Sequence, residues 1–310
     1  MRVYSAAAVH AALPWPALAE ALHSAFTARD DAAATVPQRH AHALGGADTL
    51  LLMPAWDRHL VVTKLVTVMP AAEHTVQATL LALDRSSGQP LAVLDGEALT
   101  LRRTAATSAL AARLLARPDA TQLLLVGTGR LAAWMARAHA ALRPGLREVA
   151  VWGRTEASAQ AMAHVLRSEG LPATAVAMHA LPDAVRGAHI VCCATTALKP
   201  VVLGSWLAPG THLDLVGSFR PEMREADVVA VQRARVVVDT LAGALAEAGE
   251  LVQALAEGAI RPSHVLAALG DVLNGSVLAR RDAADITLFK SVGSALADLA
   301  AARCVLQSQS

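Results

Sequence analysis

Aromatic side chains are scarce: three Phe, one Tyr and five Trp make up 3% of 310 residues. The core must therefore be aliphatic, and Ala, Leu and Val supply much of the 54% hydrophobic fraction. A chain this long buries a large share of its surface, and at about 100–200 residues per domain two domains are expected. A charge surplus is also missing. Lys and Arg total 27 against 26 Asp and Glu, which gives no electrostatic reason to expect nucleic acid or an anionic membrane as partner. The expected partner is a small molecule.

Cysteine is rare. Of three, Cys192 and Cys193 are adjacent; the odd count suggests no disulfide framework. They read as small buried residues of a strand, and the compartment as reducing and cytoplasmic. Met1-Arg2-Val3-Tyr4-Ser5 lacks a charged segment leading into an apolar core, so no signal peptide is expected. Charge or Pro breaks every apolar run before the roughly 18 residues of a membrane span. Twelve histidines are present, with His40 and His42 two apart and His10, His23 and His74 scattered. None has zinc-ligand spacing, so no metal is expected. His40 or His42 stands close enough to Arg39 to line a pocket.

What is there is patterned in two halves. Residues 13–29 carry apolar positions at helical spacing. Short β-type runs follow at Thr49–Met53, Leu60–Met69, Thr79–Asp84 and Pro90–Leu94, punctuated by Gly45-Gly46, Ser86-Ser87-Gly88 and Asp95-Gly96. They predict a mainly antiparallel sheet. A helix is expected over Thr104–Ala116, stopped by Arg117-Pro118-Asp119. Strands and helices then alternate: Leu123–Val126, Leu131–Leu142, Glu148–Trp152, Glu156–Ser168, with further strands at Thr174–Met178, His189–Cys193, His212–Val216 and Arg235–Val238. Late helices are expected over about 241–256, 262–270 and 290–305. Such alternation predicts a parallel sheet covered by helices. The boundary falls near Pro118, and the last helix lies beyond the alternating pattern and is free to return to the first domain.

Leu123–Val126 runs into Gly127-Thr128-Gly129-Arg130-Leu131-Ala132, a G-x-G-x-x-A turn between strand and helix. The first Gly permits the tight turn, the second lets the backbone approach a pyrophosphate, and Ala132 lets helix and strand pack closely. The helix N-terminus offers N–H groups to phosphate. At the end of the second strand an NAD-selective fold usually places an acid; here Arg154 and Thr155 follow Trp152-Gly153. A guanidinium pairs with a ribose 2′-phosphate, which predicts NADPH, with NADH possible. Thr195 and Thr196 close another strand, at the end that lines the ligand crevice in such folds.

Three cations of the first half are candidates for the substrate. Arg39 follows Val36-Pro37-Gln38, Lys64 sits inside the apolar run Leu60–Val68, and Arg103 stands before the expected helix at Thr104. A Lys in an apolar strand costs free energy unless paired, but alternation leaves open whether Lys64 points inward or outward. An Arg before a helix N-terminus would make a carboxylate site; ordinary surface charge fits the spacing of Arg39 and Arg103 equally well. Holding a carboxylate over a nicotinamide is the main task in hydride transfer.

These segments, with Gly88–Ala92 leading to Asp95-Gly96, Val216–Glu225 and Asp285–Gly293, resemble the ornithine cyclodeaminase/mu-crystallin family over nearly the whole chain. The resemblance implies a Rossmann-type doubly wound α/β domain at 118–289, a smaller α+β substrate-binding and dimerisation domain at 1–117 plus 290–310, and a homodimer. It implies that Arg39, Lys64 and Arg103 bind or polarise the substrate carboxylate and imine. It implies too that Thr104, Thr128, Arg130, Leu131, Ser218, Lys290 and Gly293 belong with the cofactor, and that Phe289–Gly293 close the pocket. Where the family's cyclodeaminases and alanine dehydrogenases carry an Asp, this chain has Ser218, followed by Arg220-Pro221, as in ketimine reductases of the mu-crystallin type. A Ser hydroxyl is a poor general base without an activating partner. The resemblance therefore implies NADPH-dependent reduction of 1-pyrroline-2-carboxylate to proline or 1-piperideine-2-carboxylate to pipecolate. Lys64 is the catalytic candidate and Ser218 also a substrate contact. An ornithine cyclodeaminase, a reductive aminase of oxoacids and a non-catalytic ligand-binding protein remain as alternatives.

Overall fold

The computed structural model describes residues 1–30, 33–73 and 75–308; His74 lies outside them. The chain forms two compact units, Met1–Thr107 with Ser294–Ser310, and Ser108–Gly293.

The first unit opens with strand β1 (Arg2–Tyr4) and helices α1 (Ala6–Ala11) and α2 (Trp15–Thr27). The antiparallel strands β2 (His40–Gly45), β3 (Asp48–Trp56), β4 (Leu60–Val68), β5 (Val76–Asp84) and β6 (Pro90–Asp95) follow. The sheet order is β1-β6-β5-β4-β3-β2, with β1 parallel to β6. The periodicity shows neither β1 nor β2: the first is only three residues long, and the second is exposed along its length. The β5–β6 turn is made by Asp84, whose Oδ1 accepts from the backbone N–H of Ser86 and Ser87 and from both their hydroxyls. Gly88 completes it at φ +71°. The C-terminal helix, Ala295–Gln307, packs on β3, β4 and α2.

Helix α3 runs from Gly96 to Leu115, eight residues longer at its start than the sequence predicts. Asp95 accepts from Ala98 N–H at 2.8 Å and so caps the helix. A Cβ on Gly96 would stand 2.7 Å from Ala78 and Thr79 backbone atoms, so Gly is what lets the helix leave directly against β5. Arg103 and Thr104 are therefore mid-helix, and the expected helix-terminal anion site at Arg103 does not exist. The division between the units falls inside this helix, between Thr107 and Ser108.

The second unit alternates β7 (Gln122–Val126), α4 (Arg130–Leu142), β8 (Glu148–Trp152), α5 (Glu156–Ser168), β9 (Ala173–Ala175), α6 (Leu181–Gly187), β10 (Ile190–Cys193) and β11 (His212–Leu215). It continues with α7 (Val228–Arg233), β12 (Arg235–Val238), α8 (Leu241–Glu247), α9 (Gly249–Ala256), β13 (Val265–Ala268), α10 (Leu269–Leu273) and β14 (Thr287–Lys290). The sheet is parallel, in the order β13-β12-β14-β11-β10-β7-β8-β9. Strands buried on both faces read as continuous apolar runs, and Leu123–Val126, Ile190–Cys193 and Val236–Val238 are fully buried. Cys192 and Cys193 are accordingly strand core.

Three expectations are corrected here. Residues 262–270 hold a short turn, strand β13 and the start of α10, not one helix. The expected helix over 241–256 breaks before Gly249, where a Cβ would overlap Met223 O at 1.7 Å. The strand expected at Thr174–Met178 is only Ala173–Ala175. The first difference comes from a short apolar run, in which helix and strand periods are not distinguishable; the second comes from the close backbone approach at Gly249, and the third is a shift of strand bounds.

Candidate functional site

In the first unit the alternation of β4 settles Lys64. Leu60, Val62, Lys64 and Val66 share the buried face, and Lys64 is 2% exposed. Its Nζ lies 2.8 Å from Asp298 Oδ2, on the first turn of the C-terminal helix, and donates to Thr100 Oγ1 at 3.3 Å. Asp298 Oδ1 accepts from Arg103 Nε at 2.8 Å. One fully buried carboxylate thus carries two buried cations, which leaves a surplus of one positive charge. Arg39, half-buried in the segment before β2, adds its field to that of Arg103. His40 and His42 are exposed, with ring centroids 6.3 Å apart.

Burial pulls the Lys64 ammonium down from 10.5 to about 8; Asp298 holds it up, while Arg103 and Arg39 lower it further. Burial raises the Asp298 carboxyl, but Lys64 and Arg103 outweigh that and hold it below the usual range. The cluster is electrostatically suited to an incoming carboxylate, because a second anion would balance the surplus charge and a buried unbalanced charge is costly. Asp298 is the residue the sequence did not reveal. An acid in a helix's first turn looks like an ordinary dipole complement, and only the tertiary fold brings it to β4.

In the second unit Gly127 follows β7 with φ +119°, and its Cβ would meet Ala194 O at 2.7 Å. The turns after β7 and β10 are thus in contact at the point where strand order reverses, where such sheets bind ligands. Gly129 caps α4 without a side-chain hydrogen bond, and nothing lies within 4 Å of its missing Cβ. That open backbone at a helix N-terminus fits a pyrophosphate. Thr128 is half-buried beside Gly153, Arg130 is exposed and Leu131 half-buried. Arg154 is exposed at the end of β8, and its side chain makes no hydrogen bond or ion pair among the described residues. Thr155 has a structural task, capping α5 by accepting from Ser158 N–H at 3.2 Å. Thr196 is exposed.

The ends of β10, β11, β12 and β14 are joined by buried carboxylates. Glu225 accepts from Thr195 N–H and Oγ1, Gly217 N–H and Ser218 N–H. Glu250 accepts from Ser218 Oγ at 2.7 Å and from Glu225 N–H at 2.8 Å. Lys290 Nζ stands 3.3 Å from Glu250 and 4.0 Å from Glu225. Burial raises the Glu225 carboxyl to about 7, against the pull of Lys290, with Glu250 adding to the rise. Asp239 accepts from Ser291 Oγ and the N–H groups of Val292 and Gly293, and Gly293 has φ +86°. Thr195, Ser218 and Lys290 are thus brought together, and Gly293 is held beside β12. Glu225 lies in the segment Val216–Glu225 noted above, but nothing in its spacing announces its role; Asp239 and Glu250 had no signal.

His139, Cys192 and Asp214 bring three potential metal-ligand atoms within 4.8 Å of one another. Asp214 already accepts from Ser108 Oγ at 3.0 Å and contacts His139 Nε2 at 3.1 Å. Burial holds the Cys192 thiol well above its usual value, which disfavours the thiolate a metal would need.

A model of the ornithine cyclodeaminase/mu-crystallin family matches residues 2–310. The chain is 34% identical to a Delta(1)-pyrroline-2-carboxylate reductase of Colwellia psychrerythraea, over 99% of each chain. It is 34% identical to the ketimine reductase mu-crystallin of Mus musculus, over 84% of this chain and 80% of that one. Among solved structures, a Thermococcus litoralis Delta(1)-pyrroline-2-carboxylate reductase in complex with NADH and L-proline superposes with a TM-score of 0.93 at 29% identity, covering 99% of this chain and 97% of that one.

Proposed function

Because the chain belongs to the ornithine cyclodeaminase/mu-crystallin family, we propose that it is an NADPH-dependent reductase of cyclic ketimine carboxylates, forming proline from 1-pyrroline-2-carboxylate and pipecolate from 1-piperideine-2-carboxylate. The observation that carries the reading is the buried Lys64–Asp298–Arg103 cluster with its unmatched positive charge. The similarity to reductases of such imines supports it.

In this reading Arg103 and Arg39 hold the substrate carboxylate by charge-assisted hydrogen bonds. Lys64, still protonated at neutral pH, donates to the carboxylate or gives its proton to the imine nitrogen. The bound dinucleotide supplies hydride to the imine carbon; proton and hydride together turn C=N into CH–NH. On the chain's side, Gly127, Thr128, Gly129, Arg130 and Leu131 hold the pyrophosphate, and Arg154 holds the ribose 2′-phosphate. Thr104, Thr155, Thr195, Thr196, Ser218, Lys290 and Gly293 complete the cofactor's surroundings. Ser218 favours reduction over ammonia elimination, since it stands where the family's cyclodeaminases carry an acid, and the carboxylate that accepts its hydroxyl, Glu250, is itself engaged by Lys290 and Glu225 N–H. The first unit serves as substrate-binding and dimerisation domain of a homodimer, and the second as dinucleotide domain.

The test is a panel: five- and six-membered cyclic imine carboxylates, ornithine, and pyruvate with ammonia or methylamine, each with NADPH and NADH. Oxidation of NADPH with the imines and none with ornithine supports the reading. Ammonia release from ornithine without net NADPH consumption overturns it in favour of a cyclodeaminase. Tight dinucleotide binding without turnover on any imine favours a binding protein.

A further inference from the structure

Glu225 is completely buried, and its two oxygens are saturated with donors. Oε1 accepts from Thr195 N–H at 2.7 Å and Thr195 Oγ1 at 3.0 Å; Oε2 accepts from Gly217 N–H at 2.7 Å and Ser218 N–H at 3.3 Å. The first pair belongs to the segment leaving β10, the second to the segment leaving β11. A Cβ on Gly217 would lie 1.9 Å from Thr195 O, so these two segments already touch. The carboxylate therefore acts as a rivet across neighbouring strand ends.

A second layer fixes the rivet. Glu250, from α9, accepts from the backbone N–H of Glu225 and from the Ser218 hydroxyl. Lys290, from the end of β14, stands between the two carboxylates. Three charged side chains, none more than 1% exposed, are an expensive way to stabilise a loop, because apolar packing often does as well or better. What they supply is directional: backbone N–H groups at 195, 217 and 218 all aim at one point.

We propose that Glu225 is a positioning residue for the reaction, fixing the ends of β10 and β11 as a rigid seat for the reactive ring of the dinucleotide, with Glu250 and Lys290 holding it in place. The inference rests on the dinucleotide reading above. Its physical content is that hydride transfer depends steeply on placement, so that a displacement of about 1 Å can cost ~100-fold in rate. The groups proposed for the pyrophosphate and ribose at Thr128–Leu131 and Arg154 make no hydrogen bond to the rivet, which meets that turn only where Gly127 packs on Ala194 and Thr195, so ring placement is more sensitive to it than overall affinity.

Glu225→Gln keeps the shape but replaces one acceptor oxygen with an N–H donor. That group must face the donors of Thr195 or those of Gly217 and Ser218, and cannot satisfy them. The experiment combines hydrogen exchange on the ligand-free chain, NADPH binding and steady-state kinetics with 4-deuterated NADPH. In the unsubstituted chain the amides of Thr195, Gly217 and Ser218 exchange slowly; rapid exchange at all three overturns the rivet without any variant. In Glu225→Gln the amides that face the new NH2 group, Thr195 on one side or Gly217 and Ser218 on the other, exchange at least about tenfold faster, and kcat falls between about 10- and 100-fold with a larger isotope effect. The NADPH dissociation constant changes by less than about threefold. A merely structural role would lower thermal stability but leave kcat and the isotope effect of the folded fraction where they were, and that result overturns the proposal. If Glu225→Gln does not fold, Glu250→Gln, which weakens only the second layer on Glu225 N–H and the Ser218 hydroxyl, must show the same pattern in smaller degree. Absence of dinucleotide binding by the unsubstituted chain sinks the proposed function and this inference together. Turnover with an unmoved kcat in the variant sinks this inference alone.

Discussion

Replacing Asp298 with Asn removes the one negative charge that Lys64 and Arg103 share while keeping the side chain's size. Two unit charges 2.8 Å apart interact by roughly 6 kcal/mol at an effective dielectric constant near 20. That corresponds to about four pKa units; relaxation and screening reduce it, and at least ~2 units should survive. Lys64 sits at about 8 with Asp298 present, so in Asp298→Asn it is neutral at pH 7. The assay is the pH profile of kcat/KM for imine reduction. The wild-type profile is flat below about 8 and falls above it as Lys64 loses its proton. In the variant that falling limb moves down by at least ~2 pH units, leaving about a tenfold deficit at pH 7 that recovers in more acidic buffer. The variant is also less stable, by about 3–5 kcal/mol, as long as both cations remain charged. Adding Lys64→Met recovers only part of that stability, because Arg103 still lacks its carboxylate, and it restores no activity. An Asp298→Asn enzyme with the wild-type alkaline limb would refute the claim that this carboxylate keeps Lys64 protonated.

Other outcomes follow from the same geometry. Lys64→Ala lowers kcat/KM by about 10²-fold or more if Lys64 is the general acid; full activity removes it from the mechanism. Arg154→Ala raises the NADPH dissociation constant about 10- to 100-fold, the worth of a charge-assisted hydrogen bond, and leaves NADH binding unchanged; equal weakening of both would show that Arg154 does not read the 2′-phosphate. Gly127→Ala forces a side chain into φ +119° and against Ala194 O; the strain costs about 1–3 kcal/mol before the clash is counted, and thermal melting together with NADPH titration should show loss of both stability and binding. For stability against pH, Lys64 has a folded value of about 8 below its unfolded 10.5. The unfolded chain therefore binds that proton more tightly, and the cost of the buried charge is relieved as pH rises from about 8 to 10.5. Lys64→Met should flatten that rise in denaturant midpoints, and an identical rise in both proteins would contradict it.

The legible parts of the fold were those with punctuation. Strand β8 and helix α5 could be read to the residue because Thr155 caps the helix and charges bound it. Gly127-Thr128-Gly129 announces its turn because the positive φ and close backbone approach at Gly127 both demand glycine. The start of helix α3 is hidden in the sequence because Asp95-Gly96 has the composition of a turn yet serves as cap and contact point. Strand β14, four residues long, slots between β11 and β12 without a periodic signal. The orientation of Lys64 was open in the sequence, although Thr63 and Thr67 on the opposite face of β4 marked the outward side. Asp298, Glu225 and Glu250 lay beyond local reasoning, since each acts on residues from other elements and owes its effect to burial.

The most direct measurement compares 1-pyrroline-2-carboxylate with 1-pyrroline, the same ring without its acid group, at saturating NADPH. If the buried cations hold that group, two charge-assisted hydrogen bonds worth about 1.5–3 kcal/mol each are lost, and kcat/KM falls by about 10²- to 10⁴-fold. Comparable turnover of the two rings would contradict the account, because it would leave Lys64 and Arg103 with no part in choosing the substrate.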